Sequence, residues 1–335
     1  MTRTRFLGTG HYVPSKVVAN DDLAKVKTTS DEWIQQRVGV RQRHYVDFEK
    51  EPMGASDLAV HAARAALLDA QVSKDEIDLI IYATLSPDRA FPGDGVLVQA
   101  KLDIPAGVPA LDVRNQCSGF LYGLAVADSF IRQGTYRRVL LIGSEVQSTG
   151  LDFSDRGRDV AVIFGDGAGA VVLGPSEDEQ AGIRALCLHA DGRFANELHT
   201  SYPSSAEMPR LTPERLASGV QYPQMNGKTV FKHAVSRMPE AILEVLSKAE
   251  LTAKDIDLFI PHQANLRITD LVQRRLELSD AQVFNNIQDY GNTTAASIPL
   301  AIDQAAKQGR LKRGDLLCLA AFGAGFTWAA AAIRW

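Results

Sequence analysis

The chain alternates between short apolar runs and stretches in which apolar residues recur every three or four positions. Residues 56–72, SDLAVHAARAALLDAQV, have the helical spacing, with Ser56 as the expected N-cap. The segments 77–84 (IDLIIYAT) and 138–145 (RVLLIGSE) are continuous apolar runs, typical of strands buried on both faces. This alternation predicts an α/β fold with a mostly parallel sheet covered by helices.

Several segments recur in the same order later in the chain. The matching pairs are 73–87 with 252–265, 131–143 with 306–323, and 164–173 with 322–333. Three matches in one order predict two equivalent halves, 1–175 and 176–335. Their two sheets would enclose a shared central layer of helices.

Three further stretches affect this picture. Residues 191–224 are polar and are expected to form an inserted loop region beside the core. Residues 316–333 carry no charge over nearly the length of a membrane span, but Gly323 and Gly325 interrupt them, which favours two buried strands around a glycine turn. The first residues lack the apolar core of a secretory signal, so we expect a cytoplasmic protein without a membrane span.

Composition narrows the functional classes. The chain has 335 residues, of which 45% are hydrophobic and 23% charged, and its formal net charge is −4, which disfavours a nucleic-acid binder. Its cysteines, Cys117, Cys187 and Cys318, are odd in number and widely spaced, as in a reducing compartment. Neither a C-x-x-C nor an H-E-x-x-H spacing occurs, so we expect no metal site.

Cys117 is the first candidate for chemistry. The strand Ala110–Val113 is predicted to lead through a tight junction into a helix from about Cys117 to Gln133, which Gly134 can cap. A thiol in the first helical turn lies near unpaired backbone N–H groups that favour the thiolate, which is the nucleophilic form. A buried structural cysteine is the alternative interpretation.

Two polar residues are candidate partners of Cys117. His262 follows the predicted strand Leu258–Ile260, and ligands gather at such carboxyl ends of strands. Asn292 precedes a helix whose repeat mate is the Cys117 helix, so the pseudo-symmetry would bring the three side chains to one pocket. Taken singly, a histidine there is usually structural, and an asparagine after glycine is usually a turn residue.

Several blocks around these residues occur in the order of one family. They are 29–44 (TSDEWIQQRVGVRQRH), 117–120 (CSGF), 155–173 (DRGRDVAVIFGDGAGAVVL), 225–235 (MNGKTVFKHAV), 261–268 (PHQANLRI), 291–299 (GNTTAASIP) and 322–335 (FGAGFTWAAAAIRW). The sequence thereby resembles the ketoacyl synthases of the thiolase superfamily, most closely 3-oxoacyl-[acyl-carrier-protein] synthase III. The blocks extend over nearly the whole chain.

The resemblance implies a doubly repeated α-β-α-β-α thiolase fold in a homodimer. It implies that Cys117 is acylated by an acyl-CoA, that His262 and Asn292 complete the triad, and that backbone N–H groups of Cys117 and Ala324 form the oxyanion hole. The acyl group would then condense with a malonyl thioester, carried by acyl carrier protein or CoA, with loss of CO2. The CoA thioesters would be substrates, and no other cofactor is implied.

The resemblance also implies binding residues. For CoA they are Trp33 and Arg156 at the adenine, Arg37 at the phosphates and Asn265 at the pantetheine arm, with Phe231 as a further substrate-binding or CoA-binding residue. Phe91 would cap the acyl pocket of the partner subunit. Lys232 and Arg267, with Arg274 and Arg275 nearby, would bind an acidic carrier protein. An ordinary solvated helix face is the alternative for the basic group.

Some positions depart from the family pattern. Arg114, Asn115 and Gln116 stand where small residues are usual, Ser118 replaces a common alanine, and Ala324 replaces a glycine that would be strained as alanine if its φ were positive. These departures surround the nucleophile and count against the short acetyl starter.

Other functions stay open at this point. One is a non-decarboxylating acyl condensation, or acyl transfer to an alcohol or amine, which would need a carboxylate such as Asp94 or Glu145 near Cys117. A biosynthetic thiolase would need a second active cysteine, and we interpret Cys318 as a core residue. An idle partner subunit that sets chain length is disfavoured because all three triad residues are present.

Overall fold

The computed structural model describes residues 2–24 and 28–335. The strands are β1 (Thr4–Tyr12), β2 (Lys16–Ala19), β3 (Gln42–Tyr45), β4 (Leu79–Ala83), β5 (Ala110–Val113), β6 (Val139–Glu145), β7 (Gly167–Pro175), β8 (Gly182–Ala190), β9 (Leu198–His199), β10 (Gln224–Met225), β11 (Leu258–Pro261), β12 (Leu316–Gly323) and β13 (Thr327–Arg334). The helices are α1 (Asn20–Ala24), α2 (Asp31–Val38), α3 (Ala55–Ala70), α4 (Asp94–Leu102), α5 (Gly119–Gln133), α6 (Arg158–Ala161), α7 (Pro213–Ser218), α8 (Gly227–Lys248), α9 (Leu266–Arg275), α10 (Ile287–Tyr290) and α11 (Ser297–Lys307).

Two larger sheets form the core, and they repeat one strand order. The first has the order β1-β7-β6-β4-β5, and the second has the order β8-β13-β12-β11. The pairings β4–β6 and β11–β12 are parallel, whereas β6–β7, β7–β1, β12–β13 and β13–β8 are antiparallel. The runs predicted to be buried strands are β4 and β6, and every residue of both is buried.

The prediction of mostly parallel sheets is wrong, because both sheets are mixed. In the second sheet only residues 324–326 separate β12 from β13. A connection this short can join only antiparallel neighbours, since a parallel crossover needs a dozen or more residues. The alternating pattern of helices and strands did not reveal this mixed pairing, although the glycine turn expected within residues 316–333 lies where the hairpin turns.

Helices and sheets stack in five layers. Apolar residues of α5 and α11 pack between the two sheets, whereas α3 and α4 cover the outer face of the first sheet and α8 and α9 that of the second. The central layer approaches the first sheet so closely that a Cβ on Gly143 would lie 2.3 Å from the carbonyl oxygen of Ala295. Only glycine fits there, and the contact holds the start of α11 against β6.

Two further expectations are settled by local structure. Residues 316–333 form the buried strands β12 and β13, as predicted. Ser56 does not cap α3: the N-cap is Gly54, whose N–H donates to Asp57 Oδ2 at 2.9 Å, and the N–H of Ser56 donates to Asp88 Oδ1 at 3.1 Å. The Asp57 carboxylate takes over the capping function, and the helix starts two residues earlier than expected.

The polar stretch 191–224 contains more structure than the predicted loop. It holds a 3-10 segment, α7 and the two-stranded ribbon β9–β10. Within residues 2–24 and 28–335, no helix combines the length and apolarity that a bilayer crossing requires.

Candidate active site

Cys117 lies at the junction between β5 and α5. Residues Gln116–Ser118 form a 3-10 turn that runs into α5 at Gly119, and α5 ends after Gln133 with Gly134 in the left-handed conformation (φ 74°). The predicted strand, junction and cap are thus confirmed. Gln116 itself has φ 45°, an uncommon value for a residue with a side chain, so the surrounding structure enforces this turn.

The same turn recurs at the start of α11. Residues Thr294–Ala296 form a 3-10 turn before that helix, and Thr294 has φ 45°, the value found at Gln116. Asn292 lies just ahead of this second turn, where its Oδ1 accepts a hydrogen bond from the Thr294 N–H at 2.8 Å. The repeat seen in the sequence therefore extends to an unusual backbone conformation at both helix starts.

The three candidate triad residues meet at one cavity. Cys117, His262 and Asn292 all line a cavity of about 110 Å³ whose other walls are largely apolar. His262 follows β11, and its N–H donates to the Ala320 carbonyl oxygen at 2.8 Å. Asn292 is held by a parallel bridge to Phe164. All three side chains are buried.

Burial dominates the acidity of the thiol. It raises the pKa of Cys117 to about 12, and the nearby Glu145 carboxyl adds to the rise, whereas the backbone N–H groups of Cys117 and Ala324 lower it. The backbone N–H groups therefore favour the thiolate as expected, but the thiol of the free protein stays protonated. Desolvation disfavours the anion by more than the first helical turn favours it.

Glu145 is a buried carboxyl that the sequence could not place. Its oxygens accept hydrogen bonds from the Leu85 and Ser86 backbone N–H groups at 3.1–3.2 Å and from the Ser86 hydroxyl at 2.5 Å. The amide of Gln147 donates to it at 3.2 Å. Glu145 lines neither cavity beside Cys117, so it holds the loop after β4 rather than facing a substrate.

The turn between β12 and β13 packs directly on the nucleophile. A Cβ on Gly323 would lie 2.6 Å from the Cys117 Cβ, so the backbone can come this close only with glycine. The Ser118 hydroxyl lies 2.8 Å from the Thr327 hydroxyl, which in turn donates to the Ala324 carbonyl oxygen at 3.0 Å. Ser118 thus ties the nucleophile turn to the residue that carries the other predicted oxyanion donor.

The backbone strain anticipated at Ala324 does not occur. The positive φ in this turn belongs to Gly325, at 134°. Ala324 is therefore compatible with the turn, because the next residue supplies the conformation that favours glycine.

His262 is held as a neutral imidazole. Burial lowers its pKa to about 3. Its Nδ1 lies 2.6 Å from the Ser297 hydroxyl oxygen, whereas its Nε2 is buried without a hydrogen-bond partner among residues 2–24 and 28–335. Sequence reasoning missed Ser297, although a hydroxyl in the first turn of a buried helix is a recognisable sign of a polar contact.

A second cavity, of about 300 Å³, opens on another side of Cys117. Ala324 and Thr294 line it, and the stretch 191–224 supplies much of its wall. That stretch contributes Ala195, Leu198, His199, Thr200 and Pro223. The insertion is therefore part of the site, which its polar composition alone did not indicate.

Trp33 and Arg156, the residues suggested for an adenine, have separate partners. The Arg156 Nε donates to Asp152 at 2.6 Å, and its guanidinium lies 5.9 Å from the Tyr222 ring centre. Trp33 is instead covered by Arg158, whose guanidinium lies 4.8 Å from its ring centre. Sequence reasoning missed Arg158, two residues beyond Arg156 in the same block.

The other suggested CoA residues lie along the smaller cavity or at its mouth. Asn265 and Phe231 line it. Asn265 also caps α9, since its Oδ1 accepts from the Arg267 N–H at 3.0 Å, and its amide donates to the Arg37 carbonyl oxygen at 3.1 Å. The guanidinium of Arg37 lies 5.6 Å from the ring centre of Trp33.

The residues suggested for protein contacts are on the surface. Lys232 and Arg267 are exposed, and the Arg267 guanidinium lies 5.4 Å from the Phe231 ring centre, beside the smaller cavity. Arg274 and Arg275 follow at the exposed end of α9. Phe91 is 83% exposed and lines neither cavity of its own chain.

Comparison with known proteins gives a consistent result. Family models described as 3-Oxoacyl-[acyl-carrier-protein (ACP)] synthase III and as its C terminal match residues 111–192 and 246–335. The beta-ketoacyl-[acyl-carrier-protein] synthase III of Ehrlichia chaffeensis is 44% identical over 340 residues, which cover 100% of both chains.

Solved structures of similar synthases share the fold of this chain. The 3-oxoacyl-[acyl-carrier-protein] synthase III of Aquifex aeolicus superposes with a TM-score of 0.90 at 42% identity and covers 99% of this chain and 100% of its own. The priming beta-ketosynthase of the R1128 polyketide biosynthetic pathway superposes with a TM-score of 0.89 at 33% identity, with coverages of 99% and 96%.

A mixed α/β fold with paired sheets around a central helical layer, and a cysteine at a helix start, is that of a thiolase-fold acyltransferase. The chain belongs to the 3-oxoacyl-[acyl-carrier-protein] synthase III family. It is accordingly an enzyme of the type that carries out a condensation in fatty acid synthesis. The fold class and the family expected from the sequence are confirmed.

Proposed function

We propose that this enzyme transfers the acyl group of an acyl-CoA to Cys117 and condenses it, with decarboxylation, with a malonyl thioester. The observation that carries the proposal is the meeting of Cys117, His262 and Asn292 at one buried cavity. The second cavity begins at the same sulfur, so a thioester arm and an acyl chain each have a place.

In the first step the Cys117 sulfur attacks the thioester carbonyl. The C–S bond to Cys117 forms, the C–S bond to CoA breaks, and the thiol proton leaves with the CoA sulfur. The negative charge on the carbonyl oxygen is stabilised by the N–H groups of Cys117 and Ala324. Both groups lower the pKa of the thiol in the free protein. A pKa of about 12 keeps the thiol protonated until a thioester arrives.

In the second step the malonyl thioester loses CO2, and the electron pair of the broken C–C bond forms an enolate. Its oxygen needs donors that do not carry a full charge, which suits the neutral His262 and the amide of Asn292. The enolate carbon then attacks the acyl-Cys117 carbonyl. The new C–C bond forms, the C–S bond breaks, and the Cys117 thiolate takes up a proton.

The smaller cavity suits the pantetheine arm of either thioester. Phe231 and Asn265 line it, and the cationic side chains of Arg37, Arg267 and Lys232 lie at the surface beyond them. These charges complement CoA phosphates or an acidic carrier protein. We propose that both donors enter from this side.

We also propose that the working form is a homodimer of chains that each divide at residue 175 into two halves. Strand β5 pairs only with β4, at the edge of the first sheet, and exposes Leu111 on this edge. Phe91 is largely exposed to solvent and lines neither of the two cavities beside Cys117. A second copy placed on this edge would cover Leu111 and could receive Phe91.

Two alternatives find less support. A non-decarboxylating reaction needs a free carboxylate base at Cys117, but the oxygens of Glu145 are occupied by five donor groups of residues 84–86 and 147. A thiolase needs a second active cysteine, but Cys318 is fully buried within β12 and lines neither cavity.

The test is the mass of the protein after incubation with acyl-CoA substrates. We expect the mass to increase by one acyl group, located on the peptide that contains Cys117, and no increase in the Cys117→Ala variant. Cys187→Ala is the matched control, because it removes a buried cysteine outside both cavities and should still be acylated. If no acyl-CoA modifies Cys117, the proposed acyl transfer is wrong.

A further inference from the structure

The 300 Å³ cavity has an unusual lining for a pocket that would hold a hydrocarbon chain. Leu85, Phe164 and Leu198 supply apolar walls. Among these walls stand polar side chains, namely Arg114, Gln116, Gln147, His199, Thr200 and Thr294. The smaller cavity has fewer polar residues, so the polarity is a feature of this side of Cys117.

The polar residues around the cavity include bases but no acid. Arg114 and His199 are the basic ones, and neither Asp nor Glu occurs in the lining. Arg114 has no hydrogen-bond or ion-pair partner in the part of the chain that the structure describes, and the buried Nδ1 of His199 lacks a hydrogen bond to those residues. The buried carboxyl of Glu145 accepts a hydrogen bond from the Gln147 amide at 3.2 Å.

An apolar acyl chain would provide no hydrogen-bond acceptor for these basic side chains. Filling the cavity with hydrocarbon offers no partner to the buried Nδ1 of His199, which costs free energy, and leaves the exposed Arg114 guanidinium at the rim without a counter-charge. A carboxylate at the end of the chain would instead accept charge-assisted hydrogen bonds. Sites that offer such donors discriminate strongly against ligands that cannot accept them.

We propose that the acyl starter of this enzyme carries a carboxylate at the end remote from the thioester. This inference rests on the proposed acylation of Cys117 and adds the substrate class. The cavity volume of about 300 Å³ leaves room for an acyl chain of several carbons beyond the thioester carbonyl. Arg114, at the rim of the cavity, is the residue that selects the anionic end.

The experiment compares two CoA thioesters of nearly equal shape. Adipyl-CoA ends in a carboxylate, and 6-methylheptanoyl-CoA carries an isopropyl group in its place. The measured quantity is the rate at which each acylates Cys117, followed by mass. We expect adipyl-CoA to react about 10-fold faster, since a hydrogen bond between charged groups contributes about that factor.

A substitution tests whether Arg114 is the source of the preference for adipyl-CoA. Arg114→Leu should reduce the ratio of the two rates by about 10-fold, because the cation that pairs with the carboxylate is gone. Arg64→Leu is the matched control: Arg64 is an exposed residue of α3 that lines neither cavity, and its loss should leave the ratio as it is in the unaltered enzyme. Arg114 is itself exposed, so the fold tolerates its replacement.

The outcomes separate the two proposals. If 6-methylheptanoyl-CoA acylates Cys117 as fast as adipyl-CoA or faster, the carboxylate assignment is overturned and acyl transfer stands. An undiminished preference for adipyl-CoA in Arg114→Leu overturns the role of Arg114. If neither these nor other acyl-CoA substrates label Cys117, the proposed function itself fails.

Discussion

The Nδ1 of His262 lies 2.6 Å from the hydroxyl oxygen of Ser297, and this contact couples the tautomer of the imidazole to the orientation of the hydroxyl. The Gln263 backbone N–H donates to the same oxygen at 3.4 Å. When the Ser297 hydroxyl donates to Nδ1, the imidazole proton is on Nε2, the nitrogen without a partner among the described residues. That is the nitrogen from which a thioester oxygen could accept a hydrogen bond.

Ser297→Ala should therefore slow decarboxylation of the malonyl thioester by about 10-fold to 100-fold, because the imidazole loses its fixed tautomer. Acylation of Cys117 should change much less. The measurement is the release of labelled CO2 beside the mass of the acyl-enzyme. Ser297→Thr restores the hydroxyl and should recover most of the rate, whereas an equal loss in both variants would indicate a packing role only.

Replacing the imidazole separates the two half-reactions. His262→Ala should leave acylation of Cys117 measurable and reduce decarboxylation by about 100-fold or more, since one donor to the enolate oxygen is lost. The two rates are measured as for Ser297. Release of labelled CO2 at the full rate from His262→Ala would rule out the role assigned to this residue.

The low pKa of His262 predicts the pH dependence of the second step. Burial lowers it to about 3, so the imidazole is neutral throughout the range in which a free histidine titrates. The rate of decarboxylation should therefore show no inflection near a pH of about 6.5. A profile that bends at this pH and becomes flat in His262→Ala would show that the imidazole titrates in the working enzyme.

Gly323 should be essential for the geometry of the nucleophile. The Cβ of Gly323→Ala would lie 2.6 Å from the Cys117 Cβ, so either the thiol or the β12–β13 turn must move. Acylation should fall by about 100-fold, as expected when a reacting atom is displaced by about 1 Å. Gly150→Ala is the matched control, because an added Cβ there meets no atom within 4 Å.

Asp94 should make the fold less stable as the pH rises. Burial, with the nearby Asp88 and Asp112 carboxylates, raises its pKa to about 7. The folded state therefore holds a proton that the unfolded chain releases near pH 4, and the free energy of unfolding decreases between about pH 4 and pH 7.

The Asp94→Asn variant should remove this loss and be more stable at pH 8 by on the order of 2 kcal/mol. Urea unfolding at pH 5 and pH 8 measures the difference. Glu49→Gln, at an exposed site, should keep the pH dependence of the unaltered chain. Equal pH dependence in Asp94→Asn would mean that Asp94 is ionised in the folded protein.

Much of the fold could be predicted from the sequence because the relevant patterns are local. The continuous apolar run of β4 and the stop at Gly134 after α5 each report an environment that extends over a few residues. The repeats added long-range information, since they imply that the turns at Gln116 and Thr294 are equivalent.

What the sequence did not reveal depends on neighbours distant in the chain. The acidity of Cys117 follows from its burial and from Glu145, which no spacing rule relates to it. The partner of His262 is a hydroxyl 35 positions away, on the helix of the central layer. The antiparallel pairs of the first sheet and the cavity wall from residues 191–224 likewise become evident only when the elements are assembled.

The matching turns at Gln116 and Thr294 also show that a repeated backbone need not carry a repeated side chain. Cys117 is the middle residue of one turn, and Ala295, which has no reactive group, is the middle residue of the other. The imidazole and the amide that meet Cys117 at the cavity both come from the later part of the chain. The two like modules therefore divide the labour, and neither holds the whole set of three side chains.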